Sequence, residues 1–201
     1  MKSKPKQKKS LKRNIIEWGI IIAVMALLYF TGLYSEVIGR VQQAVLLTGI
    51  MQPDTNIPIN QQQTADYNLG LISFNNTEMN LDDLKGKVIF LNFWASWCPP
   101  CRAEMPTIQS LYNKMQNRKE IVFVMVSLDN DTSKAKNFIK ERGFNFPVYF
   151  SNGYFPKIYD SGTIPSTYVI SKEGKIVAKE VGMADYNTHK FQSFLNRLVV
   201  N

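Results

Sequence analysis

The residues best suited to chemistry in this chain are two cysteines three positions apart, Cys98 and Cys101, in the run Cys-Pro-Pro-Cys. They are the only cysteines in the sequence, so they act as one pair or not at all. The free N–H groups and positive dipole of a helix N-terminus stabilise a thiolate, which is the form that attacks a disulfide. We therefore predict that Cys98, at the exposed start of a helix, is the nucleophile. Cys101, one turn deeper, then attacks the mixed disulfide and releases the substrate.

Metal binding and a purely structural disulfide are the alternative chemistries for this pair. Tetrahedral zinc needs four ligands, and the only other soft candidate is His189, far downstream, so no metal site is expected. A disulfide between Cys98 and Cys101 closes a very short loop and would stabilise the fold little. The sequence therefore favours a redox-active disulfide that needs no bound cofactor.

The elements around the cysteine pair follow from two apolar runs of eight residues, 87–94 and 121–128. Both are rich in β-branched and aromatic residues, which is typical of central strands covered on both faces. Between them Met105, Ile108 and Leu111 recur at helical spacing, which predicts a strand, a helix and a parallel strand. The cysteine pair thus directly follows a buried strand and lies at the mouth of a helix.

The remaining patterns predict a mixed sheet. A second helix follows the possible cap residue Asp131 and ends at Gly143, and a third carries an apolar stripe from Phe191 onward. The other predicted elements are a short strand at 146–150, an antiparallel hairpin formed by 166–170 and 175–181, and an edge hairpin that begins at 67–74 and turns at 75–76. Together they indicate an α/β fold with a mixed central sheet flanked by helices.

The segment 91–106 has the sequence LNFWASWCPPCRAEMP and resembles the active-site segment of the TlpA-like and ResA-like membrane-anchored thiol:disulfide oxidoreductases. The similarity continues through 126–129, 143–148 and 162–167, and it covers nearly all of 65–201. It implies that 65–201 is a thioredoxin-like domain with an N-terminal β extension. It also implies that the activity is thiol–disulfide exchange.

The resemblance assigns roles to particular residues. In the family the first cysteine is the nucleophile and the second resolves it, which fits Cys98 and Cys101. A proline that matches Pro165 is cis and faces the cysteine pair, where the neighbouring backbone at Ile164 pairs with an extended substrate. Trp97, on an exposed turn before the first cysteine, is expected to cover the sulfur atoms and to contact the substrate.

A carboxyl group near the two thiols is also implied by the resemblance. Thioredoxins proper carry a buried aspartate six residues before the first cysteine, where this chain has Asn92, and asparagine accepts no proton at physiological pH. The family's replacement is a glutamate three residues after the second cysteine, here Glu104, which can move the proton that resolution requires. The alternative is a first-turn glutamate that only stabilises the helix dipole.

Basic residues are concentrated at the N-terminus. The formal net charge is +8, but seven of the 24 lysines and arginines lie in the first thirteen residues, which leaves 17 basic against 16 acidic residues. The body therefore shows no sign of a phosphate-binding surface, and no nucleic-acid partner is expected.

An apolar segment at 15–35 follows this basic cluster, and it has no charge between Trp18 and Ser35. A helix of this length spans roughly 30 Å, the thickness of a bilayer core. We predict a basic cytoplasmic tail over 1–14, a transmembrane anchor in the lipid bilayer over 15–35, and a juxtamembrane helix and linker over 36–64. The protein would cross the inner (cytoplasmic) membrane once, with its C-terminal domain periplasmic or extracytoplasmic. A cleavable signal peptide is the alternative, although the segment lacks an A-x-A-like site.

Two functions from different classes fit these features. The first is an anchored enzyme that reduces disulfides of exported proteins with electrons from a membrane dithiol donor; the resemblance implies substrates such as apocytochrome c, hence cytochrome c maturation. The second is a non-catalytic anchored module with a thioredoxin fold that holds extended peptides at Pro165. The intact cysteine pair together with Glu104 favours the enzyme, because a peptide groove needs none of the three.

The direction of the reaction is predicted from Pro99 and Pro100. Backbone N–H groups that follow Cys98 would stabilise its thiolate, and the two prolines delete two of those donors, which leaves the N–H of Cys101 as the nearest. A strong oxidant owes its potential to a stabilised reduced form, so weaker stabilisation here predicts a reductase.

Overall fold

The computed structural model describes residues 11–30, 34–46, 48–49, 51–55 and 57–200. Residues 1–10 of the predicted basic tail (1–14) and residues 31–33 of the predicted anchor (15–35) lie outside the described residues. The chain divides into two compact units, one within Met1–Ile38 and the other within Gly39–Asn201.

The helix of the first unit is α1, which runs from Leu11 to Phe30. It begins among charged residues and includes Glu17. Across the described parts of the chain, no helix combines the length and the apolar character that crossing a membrane requires. The predicted transmembrane anchor over 15–35 and the single-pass inner-membrane location are therefore wrong, and the predicted contact of this segment with the lipid bilayer has no support.

One mixed sheet of seven strands organises the second unit. In chain order the strands are β1 (Gly70–Ser73), β2 (Glu78–Asn80), β3 (Val88–Trp94), β4 (Ile121–Ser127), β5 (Val148–Ser151), β6 (Ser166–Ile170) and β7 (Ile176–Val181). Their order across the sheet is β2-β1-β5-β4-β3-β6-β7. The pairs β3–β4 and β4–β5 are parallel, and the other neighbours are antiparallel. The mixed sheet predicted from the sequence is thereby confirmed.

Three helices follow strands of this sheet and cover it. They are α3 (Pro99–Met115), α4 (Thr132–Arg142) and α5 (His189–Val200). Alternate residues of β3 face opposite sides: Val88, Phe90 and Trp94 pack into the core that contains the three helices, and Ile89, Leu91 and Phe93 pack into a second core. Because both faces are covered, every residue of β3 is buried, as its continuous apolar run predicts.

Local signals end the elements where the sequence places them. The Asp131 side chain accepts a hydrogen bond from the Ser133 N–H at the start of α4, and Gly143 ends that helix at a φ of 67°. The hairpin β1–β2 turns through Asn76, whose φ of 60° lies in the left-handed region that asparagine adopts more readily than most residues. The β extension and the predicted edge hairpin are both present.

The segment that precedes the sheet contains α2 and ends in residues that contact the edge of the sheet. Helix α2 runs from Tyr34 to Leu46, in the region where the juxtamembrane helix was predicted, and Leu46 is buried. Farther on, Thr64 forms an isolated bridge with Lys175, and the N–H of Ile176 donates to the carbonyl of Gln63. The end of the predicted linker thus lies along the edge strand β7.

Candidate active site

The cysteine pair lies at the junction between β3 and α3. Cys98 is the N-cap of α3, and its Sγ accepts a hydrogen bond from the backbone N–H of Cys101 at 3.3 Å. Pro99 and Pro100 occupy the first two helical positions and have no N–H to offer. The nearest donor is therefore the Cys101 N–H, as the sequence predicts. The two cysteines form a disulfide with a Cα–Cα distance of 5.3 Å.

The three residues around the first sulfur differ strongly in exposure. Trp97 is 61% exposed, in agreement with its expected position on an exposed turn. Cys98 is only 3% exposed and Cys101 is fully buried. Cys98 is thus less accessible than the start of a helix predicts, but it remains the more accessible of the two cysteines.

The pairing of β3 with β6 brings a distant proline segment to the disulfide. The two strands are antiparallel, with Phe93 opposite Ser166, so the residues just before β6 lie beside the end of β3. The Ile164–Pro165 peptide bond is cis, as the resemblance implies. The carbonyl oxygen of Ile164 lies 3.7 Å from Cys98 Sγ.

A largely apolar cavity of about 460 Å³ opens next to this contact. Its lining includes Phe93, Trp97, Leu128, Phe155 and Ile164, with polar groups from the 160–163 loop. Two of the predicted substrate-contacting residues, Trp97 and Ile164, therefore share one surface beside Cys98.

Glu104 lies on the buried side of the disulfide. It is three positions after Cys101 on α3, and residues at this spacing are neighbours on a helix surface. Its Oε1 accepts a hydrogen bond from Asn92 Nδ2 at 2.9 Å, and its Oε2 accepts one from the N–H of Ala184 at 3.3 Å. Because Glu104 lies beyond the first turn and is buried, the alternative role of a first-turn glutamate at the helix dipole is wrong.

The pKa of Glu104 is raised well above its ordinary value, chiefly because burial disfavours the charged form. The hydrogen bonds from Asn92 and Ala184 oppose this shift, and the charge of Glu180 adds to it. A carboxyl group whose pKa is raised is a stronger proton acceptor than an ordinary carboxylate, and Cys101 is its neighbour on the same helix face. The arrangement is therefore suited to moving a proton at Cys101.

Several polar residues near Glu104 were not identified from the sequence as part of the site. Thr167 Oγ1 accepts from Asn92 Nδ2 at 2.8 Å and lies 2.7 Å from Tyr186 Oη. Asn92 stands out as a polar residue inside an apolar strand, and its alternation with Phe90 and Trp94 places it on the α3 side of β3. Thr167 and Tyr186 give no comparable signal, because they join the site only through the tertiary fold.

A further missed residue, Asp129, holds the turn before Cys98. Its carboxylate accepts hydrogen bonds from the N–H of Ser96 at 2.9 Å, from Ser96 Oγ at 2.6 Å and from Ser127 Oγ at 2.8 Å. These bonds fix the backbone that leads into the cysteine pair.

In the part of the chain that the structure describes, no three side chains of histidine, cysteine, aspartate or glutamate come together to hold a metal ion. His189 is the first residue of α5, and its Nδ1 lies 3.4 Å from Ser193 Oγ.

A helix-capping disulfide beside a cis proline, on a mixed sheet of this order, defines a class: thioredoxin-like proteins that exchange thiols and disulfides. The chain belongs to the Redoxin family, whose model matches residues 55–195. It is similar to thiol-disulfide oxidoreductase ResA of Oceanobacillus iheyensis, with 32% identity over 194 residues that cover 95% of this chain and 92% of the relative.

Two further comparisons agree with this class. ResA of Bacillus subtilis is 33% identical over 130 residues, which cover 64% of this chain and 72% of the relative. The crystal structure of StoA from Bacillus subtilis matches with a TM-score of 0.54 and 27% identity, and it covers 65% of this chain and 98% of StoA. The protein is a thiol-disulfide oxidoreductase with a thioredoxin-like fold.

Proposed function

We propose that the protein works as a disulfide reductase, with Cys98 as the nucleophile and Cys101 as the resolving cysteine. The observation that carries this direction is the hydrogen bonding of Cys98 Sγ, which receives one backbone N–H, from Cys101, across two prolines. The carbonyl oxygen of Ile164, 3.7 Å from the same sulfur, disfavours a thiolate there. A weakly stabilised thiolate makes the reduced form a better electron donor.

Reduction then proceeds in two steps. The Cys98 thiolate attacks one sulfur of the substrate disulfide, so a mixed disulfide forms and the other substrate sulfur leaves as a thiolate. The Cys101 thiol next loses its proton, and the resulting thiolate attacks Cys98 Sγ. The Cys98–substrate bond breaks and the second substrate thiolate leaves. The substrate disulfide has then been reduced by two electrons, and the cysteine pair has been oxidised to the Cys98–Cys101 disulfide.

Glu104 is the proposed acceptor of the Cys101 proton. Its carboxyl group is buried one helical turn beyond Cys101 and is held by two hydrogen bonds. Since solvent is excluded from this side of the pair, a side-chain base is needed for the thiol to ionise.

The substrate is proposed to bind as an extended segment over Trp97, Ile164 and Pro165. Trp97 is largely exposed and lines the cavity together with Ile164, whose carbonyl is close to the attacking sulfur. Disulfide-containing proteins are the substrates that suit this surface, and a dithiol donor must reduce the Cys98–Cys101 disulfide after each turnover.

Equilibration with glutathione buffers tests the direction. We expect a potential nearer to the thioredoxin value of about −270 mV than to the DsbA value of about −120 mV. The double variant Pro99→Ala/Pro100→Ala restores two N–H donors at the helix start and should raise the potential, whereas Pro106→Ala, farther along α3, should change it much less. A wild-type potential above about −180 mV would make the protein an oxidase or isomerase instead.

A further inference from the structure

Glu104 is one end of a chain of buried polar side chains drawn from four parts of the fold. Asn92 of β3 donates to Glu104 Oε1 at 2.9 Å and to Thr167 Oγ1 of β6 at 2.8 Å. Tyr186, in the loop between β7 and α5, places its Oη 2.7 Å from the same Thr167 oxygen. None of these side chains reaches solvent to any extent. Glu104 is therefore held by a row of hydrogen-bonded side chains inside the core.

The Asn92 amide is oriented by this chain. Both hydrogens of Nδ2 have acceptors, on Glu104 and on Thr167, whereas the buried Oδ1 has no partner among the described residues. An unpaired buried acceptor costs stability, and a flipped amide would turn Oδ1 toward Glu104 and Thr167 instead. In the observed orientation the amide offers Glu104 a donor, which is what an ionised carboxylate requires.

Thr167 anchors the amide, and Tyr186 anchors Thr167. A phenol hydroxyl that donates to Thr167 Oγ1 turns the threonine hydroxyl, so that its oxygen also receives the Asn92 hydrogen. The backbone of the same loop is tied to α3, because the Tyr186 N–H donates to Thr107 Oγ1 at 3.2 Å and the Ala184 N–H donates to Glu104. Three side chains and one loop therefore fix a single hydrogen bond to Glu104 Oε1.

We propose that Asn92, anchored by Thr167 and Tyr186, is a positioning residue that holds the Glu104 carboxylate ready to accept the Cys101 proton. The inference rests on the proposed function of Glu104 as that acceptor. The proton moves from Cys101 Sγ to Glu104, and no atom of Asn92, Thr167 or Tyr186 gains or loses one.

The pH dependence of resolution is the expected consequence. Glu180 on β7 and Tyr186 in the loop interact electrostatically with Glu104, and Cys101 lies three positions before it on the same helix. Burial and Glu180 raise the pKa of Glu104, and the Asn92 donor lowers it. Resolution needs ionised Glu104, so its rate rises as pH rises through that pKa. Loss of the Asn92 donor must move this rise to higher pH.

The experiment measures resolution of a preformed mixed disulfide between Cys98 and thionitrobenzoate across pH. Thionitrobenzoate release reports each event directly. Asn92→Ala should slow release about tenfold at neutral pH, as for loss of one hydrogen bond to a charged group, and should shift the rising limb upward. In a Glu104→Gln background the same substitution should change nothing further. Equal slowing in both backgrounds, or an unshifted limb, would overturn the proposal.

Thr167 provides a matched pair of variants. Thr167→Val keeps the shape but removes the hydroxyl, so the limb should shift in the same direction as in Asn92→Ala, and Thr167→Ser should restore the wild-type profile. Urea unfolding of each variant separates this effect from lost stability. A valine variant that loses stability but keeps the wild-type limb contradicts the positioning role. If Glu104→Gln alone keeps the wild-type pH profile, the proposed role of Glu104 itself is wrong. If Glu104→Gln changes the profile but Asn92→Ala slows release equally in both backgrounds, only the positioning role of Asn92 is wrong.

Discussion

The two sulfur atoms of the disulfide face opposite kinds of surroundings. Beside Cys98 lie the largely exposed Trp97, the carbonyl of Ile164 and an apolar cavity of about 460 Å³. Beyond Cys101 lies the buried carboxyl of Glu104, with no comparable exposure. The first side borders a largely apolar cavity, whereas the second is closed to solvent and contains a carboxyl group with a raised pKa.

In the proposed mechanism this difference separates two properties of the enzyme. Backbone groups near Cys98 set the stability of its thiolate and hence the redox potential, and the apolar side chains beside it bind the substrate. The buried polar groups beyond Cys101 set the charge of Glu104 and hence the pH dependence of resolution. Substitutions on each side should therefore change different measurements.

The largest effect is expected from removing one of the two sulfur atoms at a time. Cys98→Ser should reduce insulin disulfides at the background rate, since no accessible nucleophile remains. Cys101→Ser should still attack once and accumulate a mixed disulfide at Cys98, which mass spectrometry of the trapped species identifies. Mixed disulfides that form at Cys101 in the Cys98→Ser variant would erase the contrast between the two sides.

A second prediction concerns stability and the closed side. Burial raises the pKa of Glu104 in the folded state, so its contribution to stability is complete below the unfolded value of about 4.3 and is lost as pH rises through the raised folded value. Urea unfolding of the oxidised wild type should therefore show a free energy of unfolding that falls over this range. Glu104→Gln should remove most of that fall. A wild type and variant with parallel pH profiles would show that Glu104 is not the responsible group.

A third, smaller effect is expected from Glu180, which acts on the pKa of Glu104 through its charge. Glu180 on β7 is half-buried and its charge raises the pKa of Glu104, so Glu180→Gln should lower that pKa. The rising limb of the resolution rate should then move to lower pH, opposite to the shift from Asn92→Ala. The matched control is Glu173→Gln, in the turn at the other end of β7, which should leave the limb in place. A shift of equal size in both variants would indicate a general charge effect.

The smallest effect is expected on the open side. Trp97→Ala should raise KM for a peptide disulfide by about tenfold, the size expected when an aromatic contact in a binding surface is lost. It should leave the potential and the pH profile nearly unchanged. Tyr154→Ala removes another exposed aromatic residue, which is not part of the cavity lining, and serves as the control. Equal KM values for the two variants would show that the cavity beside Ile164 does not bind substrate.

Much of the architecture was predictable because it depends on neighbours in the chain. Apolar runs predict β3 and β4, and Asp131 and Gly143 predict the ends of α4, because caps and periodicity act over a few residues. The anchor was predicted wrongly from the same kind of reading. The apolar run predicted as the anchor covers 15–35, whereas the described helix runs from Leu11 to Phe30 and begins among charged residues.

The sequence by itself determined the cysteine pair, its place after a buried strand, and the two prolines that leave Cys98 a single backbone donor. Only the tertiary structure decided what surrounds each sulfur. Thr167 is 75 residues from Asn92 along the chain, and Ala184 is 80 residues from Glu104. No local pattern encodes such pairs, because they meet only when β3 pairs with β6 and the loop after β7 packs on α3. Hydrogen bonds across the core depend on that pairing, whereas the helix cap at Cys98 needs only its own neighbours.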